Sequence, residues 1–231
     1  MAKIDTYLDL AAAAYNQQIN HGFVESGFGV EHVEPSTSFG SGLQAVVFKD
    51  AREIIVAFSG TQGNLFSAPI SQNLANVRIG VGAIPNMAGR AHTIVSRYAD
   101  SDKYISLVGH SLGGALAQVI GAWTGLPFVS FNGPGMKTHL SLARYNVLQR
   151  RQRARSRETP SGGSIGICFN TSGDFVGSFG SHIGKVVTVP GSSNRNHDLT
   201  AIRSGLGARV YLEPYDFLST FIDPGAIGVA I

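Results

Sequence analysis

The sequence predicts an α/β fold: a mostly parallel central sheet with helices on both faces. Two observations carry this. Short apolar runs (LQAVVF, EIIVAF, YISLV, PFVSFN, SIGICFN, KVVTV) alternate with stretches whose apolar residues recur at helical spacing, the pattern of strands joined by covering helices. The composition agrees. Of 231 residues, 43% are hydrophobic and only 14% charged, which suits a large buried core and excludes a disordered chain.

The elements follow in chain order. Ile4, Leu8, Ala11, Ala12 and Tyr15 mark an opening helix. A Gly-rich polar stretch runs to about residue 42. LQAVVF and EIIVAF flank Lys49-Asp50-Ala51-Arg52 and read as a β-hairpin entering the core. Residues 61–85 are irregular, and 88–100 read as a helix. YISLV is a buried strand, LGGALAQVIGAWTG a helix packed closely through its small residues, and PFVSFN the next strand. MKTHLSLARYNVLQRRQ has amphipathic helical spacing, SIGICFN and KVVTV are strands, and HDLTAIRSGL begins the last clear helix. With no internal repeat and no linker, residues 1–231 are expected to form one domain.

Bulk properties exclude several function classes. A net charge of +3 is too small to imply a nucleic-acid partner. The local basicity of Arg144, Arg150, Arg151, Arg153, Arg155 and Arg157 reads as a solvated helix end, with an anionic membrane surface as the sharper alternative. The single Cys168 sits in an apolar run and is expected to be a buried structural thiol. The first residues lack the basic-then-apolar order of a signal peptide, and no apolar stretch is long enough for a membrane helix. A cytoplasmic location is the default expectation, with export lacking a cleaved signal as the alternative.

The chemistry concentrates at ISLVGHSLGGALAQV, residues 105–119. With 29 glycines in the chain, chance alone supplies roughly a third of a G-x-S-x-G match. Gly162-Gly163-Ser164-Ile165-Gly166 fits the same pattern. Context separates the two serines. Ser111 lies between a strand and a helix that begins at once, where side chains at positions 109 and 113 would clash. Such a turn lifts the hydroxyl above the carboxyl end of the sheet at a helix N-terminus. Ser164 precedes its strand and has no helix behind it.

A serine hydroxyl needs a base, an orienting carboxylate and an oxyanion hole. On such a sheet the order is Ser, then Asp or Glu, then His, which excludes His21, His32, His92 and His110 as the base. Asp174 follows SIGICFN in a short loop at the sheet's carboxyl edge, and His139 precedes it. His182 and His197 both obey the order. His182 enters KVVTV from its amino end, whereas His197 lies on a loop leaving its carboxyl end, which favours His197. The Leu112 N–H would give one oxyanion donor. Gly60 after EIIVAF would let the backbone present a second from Thr61.

VAFSGT, GHSLGGALA, FNGPG, NTSGDFVG, SHIGKVV and NHDLTAI occur in order over roughly residues 43–205 and resemble the class 3 lipase family of α/β-hydrolases. The resemblance implies the α/β-hydrolase fold, a nucleophile at Ser111, an acid at Asp174 and a base at His197. It also implies an oxyanion hole from Thr61 and Leu112, and matches His182 to a non-catalytic His-x-Gly. Residues 62–85 occupy the place of the family's lid, where Leu65, Phe66 and Ile70 would bind an acyl chain. Ser59 stands where family members often carry Arg. FNGPG is similar to small bacterial members, some of which are phospholipase toxins. The expectation is a lipid ester hydrolase working through an acyl-enzyme on Ser111, with no metal or organic cofactor. The alternatives are a phospholipase acting as an antibacterial effector and a non-catalytic lipid-binding member.

Overall fold

Five strands run in parallel and present their carboxyl ends along one edge. In the computed structural model, the described residues are 2–16, 18–35, 42–60, 82, 84, 86–140, 166–191 and 196–208. Eight strands form one sheet, each hydrogen-bonded to its neighbour in sequence. They are β1 (Val24–Glu25), β2 (Phe28–Glu34), β3 (Ala45–Lys49), β4 (Glu53–Phe58), β5 (Tyr104–His110), β6 (Phe128–Phe131), β7 (Gly166–Thr171) and β8 (Lys185–Val189). Pairings from β1 to β4 are antiparallel and those from β4 to β8 are parallel.

The helices are α1 (Ile4–Ala13), α2 (86–96), α3 (Leu112–Thr124), the single turn α4 (Lys137–Leu140) and α5 (Leu199–Ala208). Every residue of β4 is buried, because its alternate side chains enter two different cores. Ile54, Val56 and Phe58 meet α2 and α3 on one face, through Ala88, Ile94, Leu116 and Ile120. Ile55 and Ala57 join Tyr7, Leu8, Ile202 and Leu206 of α1 and α5 on the other. Two successive crossovers in the same direction along a sheet are right-handed and so share a face, which accounts for α2 and α3 lying together.

The hairpin around residues 49–52 forms as expected, with Ala45 opposite Phe58 and Lys49 opposite Ile54. The polar stretch before residue 42 is not uniformly irregular. It holds the β1–β2 hairpin, turned by Ser26 and Gly27 at φ 52° and 84°. Two consecutive positive φ values define the type I′ turn that matches strand twist. Of the helix expected from residue 136 onward, one turn is described, and residues 141–165 lie outside the described residues, Ser164 and the arginine cluster among them. Cys168 is buried, and burial pushes its thiol up to about 12. No helix among the described residues is long and apolar enough to cross a membrane.

Candidate active site

One residue reverses the chain between β5 and α3. Ser111 does so at φ 59°, ψ −127°, a region that costs a residue with a side chain about 1–3 kcal/mol. The approach around it is close. A Cβ on Gly109 would overlap the Gly113 carbonyl, and one on Gly113 would overlap the Phe58 carbonyl. The clash expected at both positions is therefore between backbones. Ser111 donates its N–H to the Phe131 carbonyl at 2.9 Å, and its own carbonyl accepts from Gly114 and Ala115. A serine preceding a helix ordinarily caps it through its oxygen. Ser111 makes no such bond, and its Oγ lies 2.9 Å from His197 Nε2.

Asp174 lies three residues beyond β7, in a turn closed by its N–H donating to the Thr171 carbonyl at 3.0 Å. Its buried carboxylate accepts the Gly177 N–H at 2.7 Å and the Val176 N–H at 3.2 Å. The same carboxylate faces His197 Nδ1 at 3.0 and 3.2 Å. A carboxylate only accepts, so Nδ1 carries the imidazole proton and Nε2 is left to accept from the Ser111 hydroxyl. Ser111, Asp174 and His197 thus meet in the order expected from sequence.

His182 stands apart. Its Nε2 bonds the Gly177 carbonyl at 2.8 Å and Asn170 Nδ2 at 3.1 Å, and burial lowers its pKa. Leu112 opens α3, so its N–H has no partner within the helix. Thr61, Leu65, Phe66 and Ile70 lie outside the described residues. Gly60 is described, and it is glycine for room: a Cβ there would come within 2.8 Å of the Ser111 Cβ and 2.9 Å of the His110 carbonyl. Among the described residues no three His, Cys, Asp or Glu side chains converge as a metal site.

Sequence reasoning missed three residues here. Tyr15, one residue past the α1 C-cap, places its hydroxyl 2.8 Å from His110 Nδ1 and accepts the Gly60 N–H at 2.8 Å. His110 Nε2 lies 2.7 Å from the His197 carbonyl. Asn132, just after β6 at φ 47°, places Nδ2 2.8 Å from the Asn196 carbonyl and 3.1 Å from that of His197.

Burial first, then the neighbouring His197, depress His110 to about 3. Unfolding restores the ordinary imidazole value near 6.5. Between pH 3 and 6.5 the unfolded chain therefore binds the extra proton, so stability is fully present above this window and is lost as pH falls through it. His110→Gln is expected to flatten this loss by at most about 1.4 kcal/mol per pH unit, read by denaturant unfolding at pH 4.5 and 7. An unchanged pH slope would show that His110 is not the buried neutral group.

A strained serine corner on a parallel sheet, met by an acid and then a histidine from the strands that follow, is α/β-hydrolase architecture, and the class is lipid ester hydrolase. The particular family is narrower: residues 10–163 match the Tle-like phospholipase domain, described as phospholipase-like, and the chain belongs to that family. The matched span contains Ser111 and ends before Asp174 and His197. No curated protein matches the chain. Solved structures similar to it include the Lip2 lipase of Yarrowia lipolytica, at 13% identity over 85% of this chain and 80% of that one, TM-score 0.45. Lipase II of Rhizopus niveus is 15% identical over 82% and 81%, TM-score 0.49. An esterase from the archaeon Pyrobaculum calidifontis is 14% identical over 78% and 81%, TM-score 0.35.

Proposed function

We propose that the chain cleaves a carboxylic ester of a phospholipid through an acyl-enzyme on Ser111. The observation that carries this reading is the unbroken contact from Asp174 through both ring nitrogens of His197 to the Ser111 hydroxyl. His197 Nε2 takes the hydroxyl proton as Oγ attacks the ester carbonyl carbon, and Asp174 stabilises the imidazolium that forms. Collapse of the tetrahedral intermediate returns that proton to the leaving alcohol. Water then enters by the same base and releases the fatty acid. The N–H groups of Leu112 and Thr61 are the proposed oxyanion donors. Leu65, Phe66 and Ile70 are the proposed acyl-chain contacts.

The match to a phospholipase-like domain supports phospholipid as the proposed substrate. The test compares vesicles of phosphatidylethanolamine and phosphatidylglycerol with triglyceride emulsions and soluble p-nitrophenyl esters. Release of fatty acid from vesicles at the highest rate is the expected result. Preferential turnover of triglyceride would overturn the phospholipid assignment and leave the ester chemistry standing. Asp174→Asn should lower kcat by roughly 10³–10⁴-fold, since the wrong tautomer would face Ser111, with KM for the soluble ester the control reading.

A further inference from the structure

The structure assigns a task to Asn132, His110 and Tyr15: they are positioning residues that clamp the main-chain carbonyl of His197, the base of the proposed hydrolysis. Asp174 fixes how the His197 ring is turned. It does not fix where the residue sits along the connection from β8 to α5. The carbonyl does, because two side chains bind it, His110 Nε2 from the end of β5 at 2.7 Å and Asn132 Nδ2 from just after β6 at 3.1 Å.

The hydrogens in this clamp have one consistent assignment. A carbonyl only accepts, so His110 Nε2 carries a proton and donates it to His197. His110 is held neutral by its burial, so its Nδ1 is bare and accepts from the Tyr15 hydroxyl, whose oxygen in turn accepts the Gly60 N–H. The result is a directed chain from the end of β4 to the base, each donor polarising the next. The amide of Asn132 is equally determined. Its Oδ1 accepts the Thr171 N–H at 2.8 Å, which turns Nδ2 toward the Asn196 and His197 carbonyls and Thr171 Oγ1. Asn132 therefore joins the base loop to the last residue of β7, three positions before Asp174.

The strain at Asn132 fits this role. It is one of three residues other than glycine with positive φ among the described residues, and the others are Ser26 in a hairpin turn and Ser111 itself. Asparagine tolerates that region better than most residues, and at this point just after β6 it delivers a side-chain donor that glycine would lack.

The clamp rests on the hydrolase reading, and its test separates the two. Ester turnover by the wild type that Ser111→Ala abolishes is the control for the reaction. Against it, Asn132→Gly, which keeps the backbone free to adopt positive φ, and His110→Phe are expected to lower kcat by about 10- to 100-fold, as for a reacting group misplaced by about 1 Å. KM for the soluble ester should stay within about twofold. His110→Gln restores a donor near the Nε2 position and should recover kcat to within about fivefold of wild type. Independently of any substrate, imidazole ¹⁵N shifts at pH 7 should show His110 protonated on Nε2 and bare on Nδ1, with that preference weakened in Tyr15→Phe. Wild-type kcat in folded Asn132→Gly and His110→Phe, an equal loss in His110→Gln, or a proton on Nδ1 would each overturn the clamp. No turnover by the wild type would overturn the hydrolase reading and with it the clamp's catalytic purpose.

Discussion

Ser111→Ala is expected to lower ester hydrolysis by roughly 10⁴-fold or more and to abolish labelling by a fluorophosphonate probe. The loss should fall on kcat, because in the proposed reaction the hydroxyl oxygen is the atom that bonds to the substrate carbon. Its neighbours would remain. Leu112 keeps its N–H, and the contact of Asp174 with His197 does not pass through Ser111. The variant should also melt no lower than the wild type. Alanine removes a polar atom that makes no helix cap, although the positive φ is no more comfortable for alanine than for serine. A variant that stays folded and retains more than about one per cent of wild-type turnover would move the nucleophile elsewhere.

Gly109→Ala and Gly113→Ala are expected to have the largest effects on stability, each costing more than about 3 kcal/mol, at or beyond the upper end of ordinary overpacking. The reason is what the new methyl meets. At both positions the nearest atoms are main-chain carbonyls, of Gly113 in one case and Phe58 in the other, and neither belongs to a side chain that can rotate away. Relief requires α3 to slide away from β4 and β5, which would open the face where Leu116 and Ile120 meet Val56 and Phe58. Loss of soluble protein or a melting temperature lowered by many degrees is the expected reading. A control at Gly207, where a Cβ meets nothing within 4 Å, should be close to neutral. Equal effects at the three positions would refute the backbone-contact account.

Both expectations concern features that sequence alone exposes. The corner is legible because its requirements are steric and fall on residue types: a strand, two glycines, a serine, a helix of small residues. Asp174 and His197 are legible because chain order maps onto strand order in a parallel sheet. The clamp is not. Its focus is the carbonyl oxygen of His197, an atom every residue carries, so no choice of side chain at 197 announces it. Its donors hide as well. Tyr15 satisfies helical spacing, and His110 precedes Asp174 in the chain, so the expected order of the residues gives it no role as a base. Asn132 lies inside FNGPG, where an asparagine reads as an ordinary turn residue. The β1–β2 hairpin is hidden for a related reason: a Ser-Gly pair in a glycine-rich stretch is a weak turn signal beside a β2 whose burial does not alternate cleanly.

The sequential order of the strands has a consequence in time. Gly60, Ser111, Asn132, Asp174 and His197 follow the carboxyl ends of β4, β5, β6, β7 and β8 in turn. Each strand that docks adds one part to the same edge, and the histidine arrives last. Synthesis from the amino end therefore delivers the segment of the proposed nucleophile 86 residues before that of the proposed base.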